Sequence, residues 1–586
     1  MWQFIKYVLA TLLGLALFFV IGLVLMIGVA AAIGSSSGDK TKIETKSVLK
    51  LDLNGPIQEI SVENPFAKLT GGEGDVQGLF DLKEAIANAK IDPNIEGIYV
   101  DTQSPAAGWA TIEEVRDALI DFKKSKKFVY SYAETMTEKA YYLASVSDKI
   151  YLNPAGGMEW NGLSAEYEFY KGTLDKLDIK PLIFRVGDFK SAVEPYFREN
   201  MSDANKLQTK VLVDAIFGHA INNIATSRKL PASALKNWAD SLTIDSPQDA
   251  LSHGMITNVA YYDEVETALK KELSLQDSEK IAFVSISKYI NADKIIKENT
   301  SENKIIVIVG QGAILSGKSG DENIGSETIA AELRKARNDK KVKAVVLRIN
   351  SPGGSALASD VMWREVELTK KIKPVVASMS DVAASGGYYM AMSCDKIVAQ
   401  PNTITGSIGV FTVLFQFDEF LKNKLGITSD RVNSNTHADW PTVTREMTEF
   451  EKERIQNSTN NIYASFTAKA AAGRKMPVEK LRAIASGRVW AGSNAKANGL
   501  IDELGGIDKA IETAVKLAKL KSNDYRVSYF PEKKNVIEAF FNKFSGEAEE
   551  RAVRSELGQF APYLKTIQKL QKIEGTQALM PAVEIR

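Results

Sequence analysis

Asn350-Ser351-Pro352-Gly353-Gly354, followed by Tyr388-Tyr389-Met390-Ala391 and then Asp395-Lys396-Ile397 and Pro401, occurs a second time in this chain. The earlier copy reads Gln103-Ser104-Pro105-Ala106-Ala107, then Tyr141-Tyr142-Leu143-Ala144, Asp148-Lys149-Ile150 and Pro154. Ser104 lies against Ser351 and Tyr141 against Tyr388 at one offset of 247 positions, with no gap between them. Such a match means a duplicated architecture rather than chance composition.

The two copies differ where chemistry would sit. Ser385-Gly386-Gly387 in the second stands opposite Glu138-Lys139-Ala140 in the first, which has no hydroxyl nucleophile and no glycine pair. Gly353-Gly354 stands opposite Ala106-Ala107, and backbone that must approach a ligand closely favours glycine. The first copy has lost the features of a reaction centre. It carries instead Asp188-Phe189-Lys190-Ser191-Ala192-Val193-Glu194-Pro195, with Lys190 in register with His437 or Ala438, where the second copy has no lysine.

Around these motifs, short β-rich runs alternate with helical patterns. Val48–Leu53, Ile95–Val100, Phe128–Tyr132 and Ile150–Leu152 in the first copy answer to Ile305–Val309, Ala344–Ile349, Val375–Met379 and Ile397–Ala399 in the second. Ile112–Lys124 and Leu357–Lys371 between them have helical apolar spacing. Strand, helix and strand at this spacing predict βαβ units and a largely parallel α/β core. The expected organisation is a membrane anchor and linker over 1–38, a first domain over 47–295, a second over 303–525 and a helical extension over 526–586. The polar stretch Asp293–Lys304 marks the boundary between the domains, and Val536–Phe544 and Ala552–Ile573 read as amphipathic helices.

The chain has 586 residues, room for two or three full cores, with principal units of about 230 residues each. Lys and Arg together number 73, as do Asp and Glu, so nothing in the charge points to nucleic acid. The single cysteine, Cys394, excludes an intramolecular disulfide and reads as core packing. No charged residue lies between Tyr7 and Gly38, and Val8–Ile33 is almost wholly apolar. That run exceeds the roughly 20 residues a bilayer crossing needs and is longer than a signal-peptide core, so a retained transmembrane helix is expected. Lys6 precedes it while Asp39, Lys40 and Lys42 follow, which leaves orientation undecided by flanking charge.

Ser351-Pro352-Gly353-Gly354 follows the strand Ala344–Ile349, so its glycines fall at a strand end, the preferred ligand position in open α/β sheets. Ser385 follows the next strand and precedes a helical segment whose exposed amides favour negative charge on an oxygen. A serine hydroxyl needs a base to attack a carbonyl. The chain has three histidines, His219, His253 and His437, with no metal-spaced pair among them. Lys190 meets the need if burial between Phe189 and Val193, and the positive end of the helix it opens, bring its pKa down from about 10.4.

At these residues the chain resembles the long, duplicated signal peptide peptidases of the protease IV type, serine endopeptidases with a ClpP/crotonase-like fold. The likeness rests on Gly187-Asp188-Phe189-Lys190-Ser191-Ala192, Asn350-Ser351-Pro352-Gly353-Gly354 and Ala384-Ser385-Gly386-Gly387-Tyr388, in family order behind an N-terminal anchor. It implies Ser385 as nucleophile and Lys190, from the other domain, as general base. It further implies that Ser407, in Thr405-Gly406-Ser407-Ile408-Gly409, orients the lysine amine. Backbone amides of Gly354 and Gly386 would form the oxyanion hole, with Gly353 permitting close approach. The resemblance also implies hydrophobic substrates such as cleaved signal peptides, a homo-oligomeric (tetrameric) ring, and a single-pass protein of the bacterial inner membrane with its body on the periplasmic side. No metal, nucleotide or organic cofactor is suggested by any motif, and the glycine-rich segments lack the Walker pattern.

Three other readings stay open on the residues alone. His437 is near enough in register to serve as base for a Ser-His enzyme inside the second copy. A crotonase-like fold also serves acyl-CoA chemistry. A membrane scaffold could keep the fold without catalysis.

Overall fold

The runs read as strands form two parallel sheets with matching strand order. In the first, the order is Phe283–Ser285, Ser47–Asp52, Ile95–Asp101, Phe128–Met136, Lys149–Met158 and Asn258–Val259, every neighbour parallel. In the second, Arg526–Phe530, Lys304–Gln311, Val342–Ser351, Val375–Ala384, Lys396–Ala399 and Glu503–Leu504 repeat that order, again all parallel. The sequence offset survives as pairing register: Thr135 pairs with Gly157 as Val382 pairs with Ile404. The coordinates are those of a computed structural model describing residues 42–61, 76–292, 299–320, 323–521, 524–531, 575–582 and 584–585, with scattered helical positions between Trp2 and Ile21.

Most of the apolar run Val8–Ile33, the linker at 35–38, the core of the Asp293–Lys304 boundary and the helices expected over 536–544 and 552–573 lie outside the described residues. Among the described residues, no helix is long and apolar enough to cross a membrane. The extension expected to be helical from 526 opens instead with a strand, Arg526–Phe530, which closes the edge of the second sheet beside Lys304–Gln311. Alternating Val527 and Tyr529 against a parallel neighbour gives this segment a strand's period, not a helix's. Further on, Gln577–Leu579 is also a strand.

Helices pack on the sheets through the spacing read from sequence. On Trp109–Lys123, Ile112, Val115, Leu119 and Phe122 are fully shielded, and on Ala356–Lys370 so are Met362 and Val366. Each such side chain contributes about 1.5–3 kcal/mol by leaving water. The helix Trp109–Lys123 begins after Gly108, which has no side chain to cap it. Asp381 of the second repeat does so in trans, accepting from the Thr111 amide at 2.8 Å and from its hydroxyl at 2.6 Å.

A buried charge cluster locks the repeats together. Arg348, with no exposed surface, reaches Glu59 at 2.9 Å and Glu114 at 2.8 Å, and Lys83 joins Glu114 at 2.7 Å and Asp508 at 2.8 Å. Burial works against charge on Glu114, yet Arg348 and Lys83 together hold its carboxyl down at about 2. Burial outweighs what Arg348 and the Ser380 hydroxyl supply to Glu59 and leaves its carboxyl above the ordinary range.

A third sheet mixes the two repeats. Lys180–Arg185 of the first runs antiparallel to Phe411–Gln416 of the second, six residues against six, from Arg185 opposite Phe411 to Lys180 opposite Gln416. The same sheet continues through Gln577–Leu579, Gly353–Ser355, Ala313–Leu315 and Asn323–Gly325. This sheet positions the site, because Lys190 lies five residues beyond Arg185.

Candidate active site

Lys190 leaves the strand Lys180–Arg185 through a tight turn held at both sides by the second repeat. The Val186 amide donates to the Val410 carbonyl at 3.2 Å and the Phe189 amide to the Ser486 carbonyl at 3.1 Å. Gly487, at φ +81°, lies flat against Lys190; a β-carbon there would sit 2.6 Å from Lys190 Cβ. Only glycine fits such a close approach in that conformation. Arg488 then stacks its guanidinium over Phe189, 4.9 Å from the ring centroid.

The lysine side chain enters the second repeat and has no exposed surface. Its Nζ lies 2.9 Å from Ser385 Oγ, 3.0 Å from Ser407 Oγ and 3.1 Å from the Ser407 carbonyl. No carboxylate is among these partners. Burial alone therefore acts on the amine and drives its pKa well below the ordinary 10.5. A neutral amine has two N–H donors and one lone pair, which matches two Ser407 oxygens and one Ser385 hydroxyl. The other acceptor within reach of that hydroxyl, the Gly409 carbonyl, is at 3.4 Å.

Ser385 caps the short helix Gly386–Ala391 from a backbone conformation of φ +55° and ψ −108°, which an L-residue adopts only under constraint. The constraint is visible: its amide donates to the Gly406 carbonyl at 2.8 Å and its carbonyl accepts from the Tyr389 amide at 2.9 Å. Gly353 and Gly354, at φ +102° and +155°, curl the end of the strand Val342–Ser351 beside it. A β-carbon on Gly353 would stand 2.7 Å from the Gly386 nitrogen. The Gly353 amide is itself taken, donating to Ser351 Oγ at 3.1 Å. Gly353 thus supplies proximity to Gly386, the residue after Ser385.

The structure therefore brings Lys190, Ser385, Ser407, Gly353, Gly354 and Gly386 together, and Lys190 and Ser385 meet within one chain. His437 does not join them. Its Nδ1 lies 3.2 Å from Glu451 Oε1 and its ring stacks on Phe450, so a Ser-His pair inside the second repeat has no geometry to support it. His219 is held by Glu113 at 2.6 Å and His253 packs on Trp238. In the first repeat, Glu138 fills the position of Ser385 and accepts from the Asn161 and Gly162 amides at 2.8 and 2.7 Å. That old site has become a backbone tie. Cys394 is buried, as its place in the apolar run implied.

One residue escaped the sequence reading. Gln208, on the helix Asp203–Arg228, donates to the Phe189 carbonyl at 3.1 Å and to Ser191 Oγ at 2.8 Å, and accepts from the Val489 amide at 3.2 Å. It grips the residues on either side of Lys190 and ties them to the second repeat. Nothing local marks it, since its partners lie up to 281 positions away.

The model of peptidase family S49 matches the chain twice, over residues 121–276 and 367–521. Lys190 falls in the first stretch and Ser385 in the second. The chain is 34% identical over 562 residues to Protease 4 of Salmonella typhi, covering 93% of this chain and 89% of that protein. It is 33% identical over 580 residues to Protease 4 of Haemophilus influenzae, covering 94% and 92%. It is 34% identical over 490 residues to the chloroplastic serine protease SPPA of Arabidopsis thaliana, covering 82% and 71%.

Proposed function

The chain belongs to peptidase family S49 and is a serine peptidase, and from that premise we propose that it is a membrane-anchored endopeptidase that degrades hydrophobic peptides, cleaved signal peptides among them, with a Ser385/Lys190 dyad split between its repeats. The observation that carries the dyad is the 2.9 Å contact between Lys190 Nζ and Ser385 Oγ, in a pocket where the lysine has no counter-charge. Ser385 attacks the substrate carbonyl as Lys190 takes its proton; Lys190 then delivers that proton to the leaving nitrogen. Ser407, with both oxygens on the amine, points the lone pair at Ser385. The Gly354 and Gly386 amides receive the developing oxyanion, with Gly353 clearing the approach.

A hydrophobic substrate suits what surrounds the dyad. Val193, Phe411 and Val413 form an apolar cluster with Ile183, Ala192 and Tyr196 beside the lysine turn. The apolar run Val8–Ile33 supports an anchor that holds the site near the membrane surface, as expected for a ClpP/crotonase-like peptidase of the inner membrane with an extracytoplasmic body. The test is hydrolysis of a fluorogenic hydrophobic peptide by the full chain in detergent, beside Ser385→Ala and Lys190→Ala. Activity lost in both variants supports the split dyad. Activity retained in Ser385→Ala overturns it.

A further inference from the structure

Arg488 is a partly buried cation without a counter-charge. Among the described residues, no carboxylate, carbonyl or hydroxyl oxygen accepts from its guanidinium, and its enclosed Nε has no partner. Burial alone therefore acts on the group and holds its pKa below the ordinary arginine value. The other enclosed arginines of the second repeat are paired: Arg348 with Glu59 and Glu114, and Arg474 with Asp502 at 2.9 Å. Arg488 departs from that pattern beside the turn that carries Lys190.

Two aromatic rings, one from each repeat, hold the guanidinium in place. It lies over Phe189 at 4.9 Å and over Trp490 at 4.2 Å from the ring centroids. Both rings are themselves fixed. The Phe189 carbonyl accepts from Gln208 at 3.1 Å, and Trp490 Nε1 donates to the Ile484 carbonyl at 2.9 Å. Trp490 also packs against Gly406, where a β-carbon would stand 2.8 Å from its Cδ1. A guanidinium stacked on rings keeps its N–H fork in its own plane, directed away from them, and that fork matches two oxygens of one anion. The backbone of Arg488 faces the other way, its carbonyl accepting from the Ser407 amide at 2.7 Å. The side chain is thus presented on the opposite side of its own strand end from the residue that orients the base.

We propose that Arg488, held on Phe189 and Trp490, binds a phosphate group. A planar, weakly hydrated cation tolerates partial burial better than an ammonium and recognises phosphate through paired N–H donors. No acidic side chain of the chain competes for it. The anchor proposed above keeps the body near a surface where phosphate is the abundant oxyanion, either on a lipid headgroup or free in solution. Both sources offer the same chemistry to the fork, two phosphate oxygens and at least one negative charge. Bound there, the group would join the two repeats at the lysine turn, since Phe189 comes from the first and Arg488 and Trp490 from the second.

The test is titration calorimetry on the full chain in detergent at constant ionic strength. The probes are inorganic phosphate, glycerophosphoglycerol as the deacylated headgroup of phosphatidylglycerol, and acetate for comparison. Saturable binding is expected in the parent. Arg488→Lys, which keeps the charge but loses the fork, should bind about tenfold more weakly. Arg488→Met, which keeps an apolar stem over the rings, should not bind. Tighter binding of inorganic phosphate assigns the free ion, and tighter binding of glycerophosphoglycerol assigns the headgroup. Failure of both to saturate the parent, equal affinity for acetate, or unchanged affinity in Arg488→Met overturns the site. Ser385→Ala should bind as the parent does, and loss of binding there would move the phosphate into the Ser385 pocket and overturn the proposal too. The readout is binding, so the outcome is independent of whether the parent hydrolyses peptides.

Discussion

Lys190 Nζ, from the first repeat, stands 2.9 Å from Ser385 Oγ, from the second, with 195 positions between them and no carboxylate among the partners of the amine. The pair is held by backbone contacts on both sides of the lysine, so its reactivity is a property of the interface between the repeats.

The pH dependence follows from that burial. Lys190 acts as base when deprotonated, so kcat/KM rises with pH along a limb set by its depressed pKa. The midpoint of the limb is expected well below 10.5. A pH–rate profile on a peptide with no titrating group reads it directly. A limb at the ordinary lysine value would contradict the buried, unpaired amine.

The same burial costs stability at neutral pH. A lysine whose folded pKa lies below its unfolded 10.5 binds fewer protons folded than unfolded, so its contribution is fully present above 10.5 and is lost as pH falls toward the folded value. Lys190→Met removes this linkage. The variant is expected to be inactive, with a Tm at pH 7 equal to or above the parent's and a smaller gain between pH 7 and pH 10. Thermal unfolding of both proteins at the two pH values checks it, and a parallel response in the two would refute it.

Gln208 is expected to be a positioning residue for the base. Gln208→Glu keeps an acceptor for the Val489 amide but loses the donors to Phe189 and Ser191, and it adds a carboxylate close to the lysine turn. A displacement of the base by about 1 Å costs on the order of 10²-fold in kcat. The added negative charge raises the lysine pKa, so the acid limb moves to higher pH while KM changes little. Steady-state kinetics across pH distinguish this from a loss of folded protein, which would leave the limb in place.

Arg348→Leu tests the lock between the repeats. It strands Glu59 and leaves Glu114 to Lys83, with both carboxylates buried, and removal of one partner from a buried ion pair costs about 3–5 kcal/mol. Denaturant unfolding should show that loss, and Arg348→Leu combined with Glu59→Gln should recover part of it. A change under 1 kcal/mol would mean that water already reaches the cluster.

Much of the architecture was legible because it is local or repeated. Short β-rich runs and helical apolar spacing placed the starts of the strands and helices to within a few residues, while several strands run on further than the runs implied, and the offset of 247 positions reappeared as matching register in the two sheets. Expected strands at 150–152 and 397–399 turned out unequal: the first continues unbroken from Lys149 to Met158, while the second stops at Ala399 and resumes at Ile404. The Gly-Gly and Ser-Gly-Gly motifs marked their own strand ends. The strand at Arg526–Phe530 was misread because five residues at a sheet edge carry too little pattern to announce themselves.

The sequence by itself determined that the chain is a tandem repeat with a hydroxyl and paired glycines left in one copy and a lysine in the other, since residue identity and spacing need no third dimension. The tertiary structure alone decided that the two halves meet in one chain. The strand Lys180–Arg185 could hydrogen-bond to any compatible edge, and backbone donors and acceptors carry no label for their partner. Burial of Phe411, Val413 and Val193 chose the edge, and that choice, with Gln208 and Gly487 closing on the turn, carried Lys190 to Ser385. The seat of Gln577–Leu579 beside Gly353 was fixed in the same way, by a free sheet edge rather than by any motif in the tail.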